Sequence, residues 1–194
     1  MPPRTTAIGA LRNPELVFTD ADRRELLDTI AVDADRLARL VADLLDLSRL
    51  EVGSAEPKPE VLALDELVRE VAAELPGGER VDVAGESPLV DVDPVQIRRV
   101  VANFLENALK FSSPESEVHV RVTATRREAI VRVVDHGPGL PEAELERVFE
   151  PFYRGASRSG AGLGLAVARG FAAANGGRVW AESRPGQGAA FALA

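Results

Sequence analysis

Residues 103–111 have the sequence Asn-Phe-Leu-Glu-Asn-Ala-Leu-Lys-Phe. Asn103, Asn107 and Lys110 lie four and three positions apart, so a helix would present their side chains on one face. Two amides and an ammonium group on such a face suit a metal ion bound to phosphate, because Mg²⁺ accepts amide oxygens and lysine neutralises phosphate charge. Ordinary polar residues on the wet face of a helix would have the same spacing. This segment alone therefore leaves both interpretations open.

Residues 135–139, Asp-His-Gly-Pro-Gly, follow a predicted strand that ends at Val134. The carboxylate of Asp135, placed at a strand end, can accept a hydrogen bond from the exocyclic amine of a base. Gly137 and Gly139 would let the backbone approach a flat ring or a phosphate, because glycine has no Cβ. A plain turn is the alternative interpretation of this segment.

Residues 160–165, Gly-Ala-Gly-Leu-Gly-Leu, precede a segment with helical periodicity. The backbone N–H groups at the start of that helix, together with its dipole, would favour a phosphate group. The segment differs from a Walker loop, because no Gly-Lys-Ser/Thr follows it. It also differs from a dinucleotide fingerprint, because Leu165 stands where that motif has its last glycine.

Taken in order, these segments resemble the nucleotide-binding motifs of bacterial sensor histidine kinases. The similarity extends over about residues 62–194, and it includes Phe-Glu-Pro-Phe-Tyr-Arg at residues 149–154 and Gly-Gln-Gly-Ala-Ala-Phe at residues 186–191. Residues 11–50 resemble the second helix of the dimerisation and phosphotransfer hairpin of that family. Within the family, they are most similar to the potassium- and turgor-sensing branch.

The resemblance implies an α+β fold of the Bergerat type, in which a mixed sheet has helices on one face and follows a long helix from the dimerisation hairpin. It also implies ATP and Mg²⁺ as ligands. Asp135 would hold the adenine amino group, while Asn107 and Asn103 would bind the metal. Residues 149–162 would form a mobile lid, in which the arginines are candidate contacts of the γ-phosphate. The predicted ATP-binding residues are Asn103, Asn107, Lys110, Asp135, Gly137, Gly139, Phe152, Tyr153, Arg154, Arg158, Gly160, Gly162, Leu163 and Gly164.

The remaining sequence predicts a division into three parts. Apolar residues at steps of four and three predict one amphipathic helix over residues 20–51, and its apolar face requires a partner helix from this chain or from a second copy. A homodimer through this helix is therefore expected, and a helix that packs on its own domain is the alternative. Residues 53–60 contain two prolines and a glycine and predict a linker. The predicted domains are thus residues 1–52, the linker 53–60 and residues 61–194.

Helical and strand patterns alternate irregularly within the last of these domains. Asp93 followed by Pro94 predicts the start of a helix that ends at Phe111. Further helices are predicted over Leu62–Leu75 and from residue 164 to about Asn175. Strands are predicted around residues 80–83, 89–91, 118–122, 130–134, 178–183 and 189–194. A mixed sheet with helices on one face accommodates this order best.

Composition excludes several classes of function. The net charge of −8 disfavours nucleic acid as a partner, and the absence of cysteine fits a reducing compartment. No stretch approaches the roughly 18–20 apolar residues that a membrane span requires. The sequence therefore predicts a soluble, cytoplasmic fragment, and the resemblance implies a parent protein associated with the cell membrane.

The two histidines of the chain are His119 and His136, and neither belongs to the helix predicted over residues 20–51. In the family that the chain resembles, the phosphotransfer hairpin has an acceptor histidine on its first helix. The sequence thus predicts a histidine kinase fragment whose acceptor has been removed or naturally lost. Such a fragment would donate the γ-phosphoryl group of ATP to a histidine not present in this chain, would be unable to autophosphorylate by itself, and would work with a cognate response regulator. A degenerate nucleotide-binding module without phosphotransfer and a serine kinase of the anti-sigma type are the alternatives.

Overall fold

The computed structural model describes residues 19–155 and 161–194. The chain divides into two compact units, Met1–Leu44 and Leu45–Ala194. A 32-residue helix, α1 (Asp20–Glu51), contributes residues to both. A short helix that the sequence indicates over Arg4–Leu11 lies outside the described residues. Within the described ranges, no helix combines the length and the apolar character that crossing a bilayer would require.

In the first unit, α1 begins with a reciprocal cap. The hydroxyl of Thr19 accepts a hydrogen bond from the backbone N–H of Asp22 at 3.2 Å, and the Asp22 carboxylate accepts one from the backbone N–H of Thr19 at 2.8 Å. This arrangement satisfies N–H groups that have no partner inside the helix. The predicted long helix is therefore confirmed. Several of its apolar side chains are exposed in the single chain, among them Leu27, Val32, Leu37, Val41 and Leu44.

The described residues of the second unit form two sheets. The strands are β1 (Glu60–Ala63), β2 (Val81–Gly85), β3 (Leu89–Val92), β4 (Val118–Ala124), β5 (Ala129–Val134), β6 (Val179–Ser183) and β7 (Ala189–Leu193). Strands β1 and β3 form an antiparallel pair. The other strands form a five-stranded sheet in the order β2-β4-β5-β7-β6. Only β2 and β4 run parallel in that sheet, so the predicted mixed sheet is confirmed.

The helices α2 (Leu64–Glu74), α3 (Pro94–Phe111) and α4 (Gly164–Ala174) cover one face of the larger sheet. Alternate strand residues such as Val120 and Val133 point into this layer and are buried. On the opposite face, the bidentate pair of Arg132 and Glu182 lies in solvent at 2.7 and 2.8 Å. The fold therefore has one apolar core between sheet and helices, as the sequence predicts.

Helix α3, which contains the amides of the predicted site, is fixed at its first turn. Asp93 is the N-cap, and its side chain accepts hydrogen bonds from the backbone N–H groups of Val95 and Gln96 at 2.9 and 3.0 Å. Its second carboxylate oxygen accepts a bond from the backbone N–H of Lys58 at 2.8 Å. The predicted cap is confirmed, and it also attaches the segment around Lys58 to α3.

The start of α2 differs from the prediction. The sequence indicates a helix from Leu62, whereas residues Glu60–Ala63 form strand β1 and the helix begins at Leu64. In this strand Leu62 pairs with Val90 of β3. The apolar residues around Leu62 satisfy a helical and an extended pattern equally, and pairing with β3, which no local pattern reveals, decides between them.

The last turns of α1, from Leu45 onward, belong to the second unit and pack against its other helices. Leu50 contacts α4 so closely that a Cβ added at Gly170 would lie 2.4 Å from the Leu50 Cδ1 atom. The Asp46 carboxylate lies 3.7 Å from Nε of Arg99 on α3. These contacts explain why the compact unit begins at Leu45, before the proline-containing segment 53–60.

Candidate nucleotide site

Asp135, which follows strand β5, is the buried carboxylate of the predicted site and is only 3% exposed. Its Oδ1 atom accepts hydrogen bonds from the backbone N–H groups of Gly137 at 2.8 Å and Ala189 at 3.1 Å. Oδ2 accepts no hydrogen bond from the residues that the structure describes. The backbone therefore fixes the orientation of the carboxylate through one oxygen and leaves the other oxygen for a donor outside the chain.

The protonation equilibrium of Asp135 is consistent with such a role. Burial raises the pKa of the carboxyl group above its ordinary value, and the N–H groups of Gly137 and Ala189 act in the opposite direction. A desolvated carboxylate gains more from a hydrogen-bond donor than one in water does. An amine of a bound base is a donor of this kind.

Two glycines are required where the loop after Asp135 meets the turn between β6 and β7. A Cβ at Gly139 would lie 2.3 Å from the carbonyl oxygen of Arg184, and a Cβ at Gly188 would lie 2.0 Å from the carbonyl oxygen of Asp135. The backbone N–H of Gly186 also donates to the carbonyl of Pro138 at 2.7 Å. The Asp-x-Gly-x-Gly segment is thus part of a compact double loop, which is more than the plain turn that the sequence leaves open.

The predicted residues of helix α3 lie in different environments. Asn103 is 7% exposed, and its Nδ2 atom is buried with no hydrogen-bond partner within the described residues. Asn107 is half-buried and Lys110 is exposed, with the Lys110 ammonium 4.7 Å from the centroid of the Phe111 ring. The burial of Asn103 follows from the approach of α4, because a Cβ at Gly164 would lie 2.5 Å from the Asn103 Oδ1 atom.

Helix α4 begins at Gly164, directly after the glycine-rich segment. Its N-cap is Leu163, and no side chain among the described residues caps it. The first N–H groups of a helix have no partner inside the helix, so this terminus offers donors to an anion. Gly162 adopts a φ of +73° and passes so close to Tyr153 that a Cβ would lie 2.5 Å from the Tyr153 carbonyl oxygen. Gly160 lies outside the described residues.

The first residue of the predicted lid is fixed by packing in the core. Phe149 is buried and makes an edge contact with Phe191, their ring centroids 6.2 Å apart. Tyr153 stacks against the guanidinium of Arg147 at 4.6 Å, and partial burial together with the Glu144 carboxylate raises the pKa of the Tyr153 hydroxyl. Tyr153 thus packs against the segment that precedes the lid.

The next part of the lid is open to solvent. Phe152 is 63% exposed and has a φ of +62°, a conformation that is strained for a side chain with a Cβ. Arg154 is exposed, and Arg158 lies outside the described residues. The structure therefore brings Asp135, α3 and the start of α4 together, and it leaves the predicted contacts of Arg154 and Arg158 as predictions.

Within the described residues, no group of three or more histidine, cysteine, aspartate or glutamate side chains could hold a metal ion. A divalent cation at this site would depend on the neutral amides of α3 and on oxygens of its own ligand. Mg²⁺ is commonly bound in this way, through few protein ligands and substrate phosphates. The donor set on α3 is compatible with Mg²⁺ that arrives with a nucleotide.

Comparison with known families identifies this arrangement. The sequence model of the Histidine kinase-, DNA gyrase B-, and HSP90-like ATPase family matches residues 92–194. The chain belongs to this family. The match includes Asp135, the amides of α3 and the start of α4, and the predicted Bergerat-type fold is confirmed. ATP is the ligand that membership of this family implies.

Curated relatives and a solved structure extend the similarity to the whole chain. Sensor protein KdpD of Mycobacterium tuberculosis is 36% identical over 194 residues, which cover 94% of this chain and 22% of that protein. Alginate biosynthesis sensor protein KinB of Pseudomonas aeruginosa is 34% identical over 88% of this chain and 30% of that protein. The structure of full-length ShkA in complex with AMPPNP shares 28% identity and superposes with a TM-score of 0.71, covering 97% of this chain and 41% of that chain. The chain thus spans less than a third of these two curated relatives.

One prediction is wrong. The His Kinase A (phospho-acceptor) domain model matches residues 5–53, so the phospho-acceptor domain is present, whereas the sequence analysis predicts a chain that lacks the acceptor. The expectations of an acceptor outside the chain and of an inability to autophosphorylate lose their basis with it. Residues 5–53 contain no histidine, which was the basis of the wrong prediction. The histidines of the chain are His119 and His136, both in the region that the ATPase model matches.

Ala189, whose backbone N–H helps to hold the Asp135 carboxylate, was not among the predicted site residues. It lies 54 positions away in sequence, within the segment 186–191, and the family resemblance of that segment assigned it no role. The paired glycines at 186 and 188 gave the only local indication that the turn before β7 approaches another part of the backbone.

Proposed function

We propose that this chain binds ATP with its adenine amino group at Asp135 and acts as the nucleotide-binding, phosphoryl-donating part of a two-component sensor histidine kinase. The observation that supports this most strongly is the buried Asp135 carboxylate, whose Oδ1 atom is held by two backbone N–H groups while Oδ2 is left for an outside donor. An adenine amino group provides such a donor, whereas guanine presents a carbonyl oxygen at the equivalent position.

The remaining predicted residues have roles that the geometry permits. The N-terminus of α4, with Gly162, Leu163 and Gly164, would receive phosphate oxygens, and Lys110 would neutralise part of their charge. The amides of Asn107 and Asn103 would hold Mg²⁺ together with the triphosphate. Bound Mg²⁺ would neutralise charge on the transferring phosphoryl group, and the chain would contribute positioning.

Assembly and cellular context follow from the family and are proposals of the same kind. The exposed apolar residues of α1 and the phospho-acceptor domain match over residues 5–53 support a homodimer through residues 20–51. A cognate response regulator would receive the phosphoryl group, because the curated relatives are sensor proteins. The parent protein would be associated with the cell membrane and would expose this part to the cytoplasm.

Calorimetric titration of ATP, with and without Mg²⁺, tests the nucleotide site. Wild type should bind ATP, and Asp135→Asn should weaken binding by about 100-fold, because a charge-assisted hydrogen bond is lost and an amide donor then faces the adenine amine. Asp82→Asn is the matched control, since that carboxylate is 64% exposed and lies 3.7 Å from Nδ1 of His119. Equal affinities of wild type and Asp135→Asn for ATP would refute the proposed site.

A further inference from the structure

Ser183, the last residue of β6, joins the two segments that surround the Asp135 carboxylate. Its hydroxyl accepts a hydrogen bond from the backbone N–H of Leu140 at 2.7 Å and donates one to the carbonyl oxygen of Gly188 at 2.6 Å. Leu140 ends the Asp-x-Gly-x-Gly loop, and Gly188 immediately precedes Ala189 at the start of β7. A single half-buried hydroxyl thus connects the loop and the turn.

The same two segments provide both N–H groups that orient Asp135. One N–H belongs to Gly137 in the loop and the other to Ala189 after the turn, and both bond to Oδ1. The direction of Oδ2 therefore depends on the separation of the loop and the turn. The hydrogen bonds of the Ser183 hydroxyl join this loop and this turn.

Besides the Asp135 carboxylate, two backbone hydrogen bonds also join the loop and the turn. Gly186 donates its N–H to the carbonyl of Pro138 at 2.7 Å, and the backbone N–H of Asp135 donates to the carbonyl of Ala189 at 2.8 Å. Both bonds join backbone atoms and do not involve the hydroxyl at position 183. The Ser183 hydroxyl is therefore the side-chain contribution that can be removed while the backbone pairing remains.

We propose that Ser183 is a positioning residue for nucleotide selection, which acts through Asp135 and does not itself touch the nucleotide. By holding Leu140 and Gly188 together, its hydroxyl keeps the Asp135 Oδ2 atom directed at the amino group of adenine. The inference rests on the proposed function, because it takes the adenine amine as the partner of Asp135.

Selectivity for the amino group separates this role from a general effect on folding. The experiment compares affinities for ATP and for purine riboside triphosphate, which lacks the 6-amino group, in the presence of Mg²⁺. Ser183→Ala should weaken ATP binding about tenfold and change binding of the analogue by less than about twofold, because two hydrogen bonds that aim the carboxylate are lost. Ser183→Thr, which restores a hydroxyl, should recover most of the ATP affinity.

Asn175→Ala is the control for lost stability. The Asn175 side chain accepts from the backbone N–H of Asp93 at 2.8 Å and donates to Gln96 at 2.8 Å and to the carbonyl of Phe171 at 2.9 Å, at the other end of α4. Its removal should lower the melting temperature and leave the ratio of the two affinities unchanged. If Ser183→Ala does not fold, Ser183→Cys, which keeps the side-chain volume but hydrogen-bonds weakly, takes its place.

The double variant Ser183→Ala/Asp135→Asn provides the coupling test. If Ser183 acts through Asp135, adding Ser183→Ala to Asp135→Asn should cause little further loss of ATP affinity. Additive losses, or equal losses for ATP and the analogue, would overturn the inference. A wild type that binds both nucleotides equally would instead refute the proposed function, so the two failures are distinguishable.

Discussion

Replacing Gly188 with alanine tests the contact between the turn before β7 and the backbone of Asp135. Gly188 and Gly186 lie in the same turn and both have a φ of +79°, but their surroundings differ. A Cβ at Gly188 would lie 2.0 Å from the Asp135 carbonyl oxygen, whereas a Cβ at Gly186 has nothing within 4 Å. Gly186→Ala is therefore a control that has the backbone strain without the collision.

The magnitudes follow from these two contributions. The left-handed conformation costs an alanine about 1–2 kcal/mol, and the reduced freedom of its unfolded chain returns about 0.4–1 kcal/mol. Gly186→Ala should thus destabilise the protein by about 1 kcal/mol. Gly188→Ala should add about 1–3 kcal/mol, because a backbone carbonyl cannot rotate away as a side chain does.

Urea denaturation provides the assay, with Trp180 as the probe, because it is the single tryptophan of the chain and lies on β6, the strand that leads into this turn. A loss of about 2–4 kcal/mol corresponds to a fall of very roughly 5–15 °C in melting temperature for a chain of this length. Gly188→Ala should also weaken ATP binding, since the clash displaces Asp135. If the Gly186 and Gly188 variants have the same free energy of unfolding, the close approach inferred for Gly188 is refuted.

Three further variants test other parts of the structure. Asp93→Ala removes the N-cap of α3 and should lower the free energy of unfolding by about 1–2 kcal/mol in urea titrations. Asp93→Asn should lower it less, because its amide oxygen can still accept from Val95 and Gln96 while the bond from the Lys58 N–H is lost; equal losses would contradict the cap. Arg132 holds the pKa of Glu182 at about 2, below its ordinary value of 4.5, so the resulting stabilisation is present above pH 4.5 and is lost as the pH falls toward 2. Glu182→Gln should remove that pH dependence of the free energy of unfolding, which is worth at most about 1 kcal/mol for a half-exposed pair. If the variant has the same pH dependence as wild type, the stabilisation does not come from the pair of Arg132 and Glu182. Gly164→Ala should destabilise the protein in melting experiments, because the added Cβ would collide with the Asn103 side chain. In an Asn103→Ala background the same change should instead stabilise by up to about 1 kcal/mol, because alanine has the higher helix propensity. A stabilising effect in both backgrounds would be inconsistent with the contact.

Most helices and strands could be predicted from short stretches of sequence, because the physical reason for each element lies within that stretch. The alternation of valines in β4 and β5 reflects burial of one face, and Asp93-Pro94 reflects the unpaired N–H groups at the start of α3. Strand β1 was missed because its pairing partner, β3, lies about 30 residues later in the chain. When an apolar run is too short for its pattern to distinguish helix from strand, pairing with a distant strand decides its conformation.

In the candidate site, too, some features could be predicted from a short stretch of sequence and others depend on distant residues. Asp135 and the glycines beside it could be recognised, because a carboxylate after a buried strand followed by two glycines is a local feature. The orientation of that carboxylate depends on Ala189 and Ser183, which the sheet order β5-β7-β6 brings beside it. The burial of Asn103 likewise results from the approach of α4, which helical spacing alone does not reveal.

Structure determination of the complex with a non-hydrolysable ATP analogue and Mg²⁺ tests the central claim most directly. The amino nitrogen of adenine should lie about 2.7–3.2 Å from Oδ2 of Asp135, with Oδ1 still bonded to the N–H groups of Gly137 and Ala189. The phosphates should lie near the start of α4. An adenine ring bound elsewhere, or an Asp135 carboxylate with no contact to the nucleotide, would refute the proposed site.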